Sequence, residues 1–105
     1  MAKAEVFAGI CGFKTIIETK SVDDMVRLQI KSDCPAITRL AGQITEVDPY
    51  QEITFRRGGP QTFQVSVKYC AHTACPVPVG IIKAVEVEAG LALPMDVTIK
   101  VSKSD

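Results

Sequence analysis

Four cysteines and one histidine hold most of the chemistry open to this chain: Cys11, Cys34, Cys70, Cys75 and His72. Two of the cysteines stand in Cys-Pro pairs, Cys34-Pro35 and Cys75-Pro76, each where an apolar helical pattern begins. A proline in the first turn of a helix loses no hydrogen bond, because its missing N–H would have had no partner there, so Cys-Pro sets the cysteine at or beside the N-cap. Free N–H groups and the positive end of the helix dipole favour thiolate over thiol, the form that binds metal or attacks an electrophile. The expected chemistry is therefore that of a low-pKa cysteine.

Three uses of these residues compete. In the first, Cys11, Cys34 and Cys75 are metal ligands and Cys70 or His72 completes the set. Zinc takes four nitrogen or sulfur donors and iron–sulfur clusters take thiolates, so the cofactor would be zinc or an iron–sulfur cluster. No paired CxxC is present, and four residues separate Cys70 from Cys75. Three ligands and an open position would suit a catalytic metal or an exchangeable cluster. In the second, Cys75 or Cys34 is a redox thiolate that a neighbouring cysteine resolves as a disulfide. In the third, the cysteines are buried apolar side chains of a non-catalytic interaction domain, as free thiols often are. Cys70, closing an apolar stretch, fits that last role best. His72, in Cys-Ala-His-Thr-Ala-Cys, would serve as a ligand, as a base for Cys75, or as a solvated loop residue.

Other chemistry has weaker support. Arg56-Arg57-Gly58-Gly59 offers paired guanidiniums for an anion but lacks the loop–helix–lysine arrangement of a phosphate cradle, and a run of this kind is usually a solvated turn. Asp23-Asp24 fits turn chemistry, while Glu86 and Glu88 are expected on a solvent face beside Lys83. No Ser-His-Asp order and no dinucleotide fingerprint occurs.

The elements that must position these residues follow from hydrophobic period. An apolar run from Ala4 to Ile10 reads as an N-terminal strand and leads into Gly9-Ile10-Cys11-Gly12, which sets Cys11 on a turn. Phe13–Lys20 and Met25–Lys31 form a hairpin around Ser21-Val22-Asp23-Asp24, with Val26, Leu28 and Ile30 facing in. After Cys34-Pro35, Ile37, Leu40, Ala41, Ile44 and Val47 keep helical spacing. Asp48-Pro49-Tyr50-Gln51 caps a short second helix that runs toward Arg56. Phe63, Val65, Val67 and Tyr69 allow a strand and Phe63, Val67, Cys70 and Ala71 a helix, the reading adopted for 61–71. A last helix covers Val79–Ala89, ended by Gly90, and Val97, Ile99 and Val101 alternate with Thr98, Lys100 and Ser102 as a final strand over Met95–Ser102. The fold class is α+β: a small, mostly antiparallel sheet of three to four strands with helices on one face. Ser32-Asp33-Cys34-Pro35 and Thr73-Ala74-Cys75-Pro76 echo each other, and equivalent turns would bring Cys34 and Cys75 together at one end of the sheet.

Composition bounds the class. A chain of 105 residues suits one domain, 1–105. Apolar residues make up 47% of it, and 12 basic residues balance 12 acidic ones without a block of either sign, which argues against disorder and against nucleic-acid binding. No apolar run is long enough to span a bilayer and no signal peptide is read at the N-terminus, so a cytoplasmic protein without a membrane partner is expected; a homo-oligomer is compatible with the sequence. A reducing compartment turns the four cysteines toward metal, redox or packing rather than disulfides.

Ala8-Gly9-Ile10-Cys11-Gly12-Phe13, Ser32-Asp33-Cys34-Pro35 and the stretch from Ala71 to Pro94 resemble a small family of cysteine-containing prokaryotic proteins of unknown function, chiefly from anaerobes. The resemblance runs over most of the chain. It implies a soluble, cytoplasmic protein, and the anaerobic setting favours iron–sulfur chemistry. A looser likeness is to the TSCPD domain, over Val26 to Gly90. There Thr73-Ala74-Cys75-Pro76 stands in place of Thr-Ser-Cys-Pro-Asp, departing from it at Ala74 and Val77. That likeness implies a strand ending in a cysteine, a helix, and a later Cys-Pro helix start, with Cys34 and Cys75 close together.

Overall fold

In the computed structural model, which describes residues 1–104, the apolar alternation of the first third of the chain becomes an antiparallel sheet. Its strands are β1 (Lys3–Phe7), β2 (Lys14–Val22), β3 (Met25–Ser32) and β4 (Glu46–Val47), in the order β1-β2-β3-β4. The β2–β3 hairpin closes through Asp23-Asp24 between the paired Val22 and Met25. Asp23 adopts φ 57°, the left-handed conformation a two-residue hairpin turn requires and that Asp tolerates. Thr15, Ile17 and Thr19 of β2 and Val26 and Leu28 of β3 are buried on one face, and the helices cover that face.

Four helices follow: α1 (Pro35–Ala41), α2 (Pro49–Glu52), α3 (Gln61–Tyr69) and α4 (Val77–Glu88). Helix α1 lies against β3, and α4 crosses β1 and β2. Ile17, Ile37, Leu40, Ile44, Val47, Ile81 and Val85 meet between the layers as the core. Gly80 lets α4 come close to the sheet: a Cβ there would lie 2.5 Å from Val6 Cγ2. Gly90, at φ 74°, ends α4 while the Leu91 N–H bonds the Glu86 carbonyl, the paired closure that a left-handed residue permits.

Several expectations need correction. The first helix stops at Ala41 rather than continuing to Val47. Ile44 and Val47 are buried as expected, but from extended chain, with the Leu28 N–H on the Thr45 carbonyl and Val47 paired to Val26. A spacing of three can serve either backbone once a turn at Gly42 intervenes. The second helix ends at Glu52, not near Arg56; its Asp48 cap holds, Oδ1 accepting the Tyr50 N–H at 3.0 Å. Residues 61–69 are helical.

The expected strand at Met95–Ser102 does not form: the chain from Pro94 to Ser104 carries no regular structure. Its apolar side chains are exposed, Met95 by 85%, Ile99 by 75% and Val101 by 89%.

Glu88 does not face solvent. Its side chain is only 10% exposed and joins α4 to the sheet, accepting from the Ala2 N–H at 2.7 Å, the Thr19 hydroxyl at 3.1 Å, and both the N–H and hydroxyl of Ser21 at 3.0 Å. No helix among the described residues is long and apolar enough to cross a membrane.

Candidate functional site

The register of the hairpin assembles the site. Thr15 pairs with Ser32, their hydroxyls 2.7 Å apart, and the Asp33 N–H bonds the Lys14 carbonyl at 3.1 Å. The turn that precedes β2 therefore lies beside the chain that leaves β3. The first brings Cys11, the second Cys34.

Cys34 is the N-cap of α1 with Pro35 behind it, as the Cys-Pro rule anticipates. Its N–H donates to Ser32 Oγ at 3.1 Å, and its carbonyl takes the Thr38 N–H at 2.9 Å. The sulfur makes no capping hydrogen bond. Cys11 sits in the turn between Gly9 at φ 95° and Gly12 at φ 74°, closed by a Gly12 N–H to Gly9 carbonyl bond of 2.9 Å, and is exposed.

Cys70 ends α3 and is half-buried rather than core, its Sγ 3.4 Å from the His72 carbonyl. That carbonyl also accepts the Cys75 N–H at 3.2 Å, so the tight loop 70–75 turns Cys70 and Cys75 toward each other. Cys75 lies one residue before Pro76, the N-cap of α4.

All four cysteines and His72 line one cavity of about 290 Å³. Its remaining wall is mostly apolar and includes Ile10, Phe13, Ile37 and Val77, with Thr15 as a polar member. Cys34, Cys70 and Cys75 are half-buried in it, whereas Cys11 and His72 are exposed on its rim loops. Every sequence-predicted ligand thus reaches the same cavity, where Cys34 and Cys75 meet, although the two Cys-Pro turns are not equivalent: Cys34 is itself the N-cap of α1, whereas Cys75 precedes the N-cap Pro76 of α4. The side chains do not form a finished ligand cage: among the described residues, no three His, Cys, Asp or Glu groups are grouped to hold an ion.

The expected low-pKa thiolate at Cys75 is overturned. Burial pushes its thiol from 9.0 up to about 11; the Val77 N–H pulls the other way, and the sulfurs of Cys70 and Cys34 add to the rise. A helix N-terminus supplies one donor to this sulfur, but an apolar wall and two neighbouring sulfurs disfavour its negative charge more strongly. In this state Cys75 is a protonated thiol at neutral pH.

Sequence reading missed two carboxyl groups of structural consequence. Glu52 is 1% exposed and accepts the Gln61 N–H at 2.7 Å, the Thr62 N–H at 3.1 Å and the Thr62 hydroxyl. It does for α3 what a capping side chain would, because Pro60, the N-cap, has none to offer. Glu88 is the other. Arg56 and Arg57 lie exposed on the loop between α2 and α3.

No curated protein and no solved structure matches the chain. A family model does match, over residues 2–101, which takes in β1, the cysteine-lined cavity and most of the segment after α4. The chain therefore belongs to DUF6951, a family of unknown function.

Proposed function

We propose that the cavity binds a thiophilic metal, as a zinc ion or an iron–sulfur cluster, through Cys34, Cys70 and Cys75 with Cys11 or His72 as the closing ligand. One observation carries the reading: five soft or borderline donors, drawn from separate parts of the chain, line a single apolar cavity. Thiolate and imidazole are the donors that suit zinc and, for thiolate, iron–sulfur clusters.

The chain's own residues account for the behaviour such a site needs. Neighbouring sulfurs disfavour each other as thiolates, and a cation between them removes that penalty, so uptake is coupled to proton release. The two rim loops, Gly9–Gly12 and Ala71–Ala74, carry Cys11 and His72 and are the parts able to close on the metal without disturbing the core.

A second reading rests on Cys70 and Cys75, whose sulfurs neighbour each other at the ends of one short loop. Thiol–disulfide exchange with a small-molecule disulfide would oxidise the pair to a bridge, two electrons and two protons passing to the partner, which leaves as two thiols. This pairing differs from the Cys75/Cys34 couple expected from the sequence.

Elemental analysis and an absorption spectrum on protein purified without oxygen and without a metal-binding tag test the first reading. Stoichiometric zinc, or iron with sulfide and a visible band, supports it, provided Cys34→Ser and Cys75→Ser each lose the metal. Metal-free protein that binds neither zinc nor a reconstituted cluster overturns it. A Cys70–Cys75 disulfide formed on titration with oxidised glutathione would then support the second.

A further inference from the structure

The segment after α4 has the sequence of a half-buried strand and the surroundings of a free one. Met95, Val97, Ile99 and Val101 fall on one side of an extended chain and Asp96, Thr98 and Lys100 on the other. Leu93, Met95, Val97, Ile99 and Val101 are 89, 85, 59, 75 and 89% exposed. The molecule measures 51 × 28 × 26 Å. The family match extends to residue 101, so this alternating stretch belongs to the shared domain.

We infer that residues 95–101 pair antiparallel with the same residues of a second copy of this chain, with Thr98 on the two-fold axis. The register follows from charge. Centring on Thr98 sets Asp96 opposite Lys100 of the other copy and, by symmetry, Lys100 opposite its Asp96. The same register puts Val97 opposite Ile99 and Met95 opposite Val101, apolar pairs of the kind that stabilise sheets. Parallel, in-register pairing would instead oppose Asp96 to Asp96 and Lys100 to Lys100.

The open edge of β1 is a poorer match. Its charges, Lys3 and Glu5, are two residues apart and already paired at 3.5 Å, whereas Asp96 and Lys100 are four apart. No single register along β1 gives both Asp96 and Lys100 an opposite charge. A lone two-stranded ribbon is marginal in water, so the apolar face of the paired segments closes against the two bodies. Four apolar side chains from each copy, at roughly 100 Å² apiece, bury about 800 Å² before the paired backbone is counted, the size of a weak, reversible association.

Sedimentation equilibrium on the full chain, with reductant and chelator present so that neither a disulfide nor a shared metal links the copies, tests this independently of the cavity. The wild type is expected at twice the chain mass of 11.3 kDa. Asp96→Lys and Lys100→Asp each place like charges opposite at both symmetric pairs and should weaken the dimer about tenfold. The double variant Asp96→Lys/Lys100→Asp restores opposite charges in this register only, and should return the affinity to within about threefold of wild type. A monomeric wild type overturns the inference, as does one whose 95–101 amides are protected from exchange by docking in cis. A dimer indifferent to the single variants, or a double variant as weak as either, overturns the register.

Discussion

Glu88 Oε2 accepts two hydrogen bonds from one residue, the N–H and the hydroxyl of Ser21, each at 3.0 Å, and so ties the last turn of α4 to the end of β2. Oε1 holds the Ala2 N–H and the Thr19 hydroxyl. Burial alone would raise this carboxyl, but the donors from Ser21, Ala2 and Thr19 outweigh it and hold the group below its ordinary 4.5.

The sign of the pH effect follows. A carboxyl depressed in the folded state contributes stability that is complete above 4.5 and is lost as pH falls through the lower, folded value. Glu88→Gln should lower stability at pH 7 by about 1–3 kcal/mol, since an amide offers its NH₂ where donors already point. It should also flatten the acid limb of a plot of unfolding free energy against pH. Equal acid limbs in the two proteins would refute the assignment.

Removing Glu52 should cost more than its four-residue helix suggests. Glu52→Ala strips the Gln61 and Thr62 N–H groups of their acceptor at a buried helix start, and a loss of about 2–4 kcal/mol in urea unfolding is expected. A change under about 0.5 kcal/mol would mean that water replaces the carboxyl without penalty.

Gly80→Ala pits helix propensity against space. Alanine favours the helix by about 1 kcal/mol, but its Cβ would meet Val6 Cγ2 at 2.5 Å, and a β-branched side chain has little room to turn. A net destabilisation of about 1–2 kcal/mol is expected. In the Val6→Ala background the same substitution should be neutral or stabilising; thermal melts of the four proteins read the coupling directly.

In reduced, metal-free protein, iodoacetamide should modify Cys75 more slowly than the exposed Cys11 at pH 7.5, because the thiolate reacts and Cys75 is pushed up to about 11. A thiol raised in the folded state stabilises below 9.0, its ordinary value, and loses that contribution as pH climbs toward 11. The difference in stability between wild type and Cys75→Ala should therefore fall across that interval. Faster labelling of Cys75 than of Cys11, read by peptide mass mapping, would contradict the burial argument.

The legible parts of the fold were those whose causes lie within a few residues. The Asp23-Asp24 turn, the Asp48 cap, Pro35 behind Cys34 and the Gly90 stop each satisfy a local backbone demand, and each stands where its residues point. The reach of α1 was not legible, since Ile44 and Val47 are buried as the helical pattern asks, but by a strand that exists only because β3 has an edge to pair with. Met95–Ser102 carries a strand pattern without a strand, because alternation specifies which side of a strand is apolar and says nothing about the neighbour that would complete it.

The candidate site divides the same way. Residue types by themselves determined which donors exist and that Cys34 and Cys75 begin helices. That five donors share one cavity was decided by the Thr15–Ser32 register and by the loop returning from Cys70 to Cys75, contacts between distant or folded-back segments that no local pattern encodes. The charge state of Cys75 was decided there too. Sequence supplies a helix dipole near the sulfur, but only the packed structure adds the apolar wall and the two sulfurs beside it, and desolvation with like charge at short range outweighs one N–H donor.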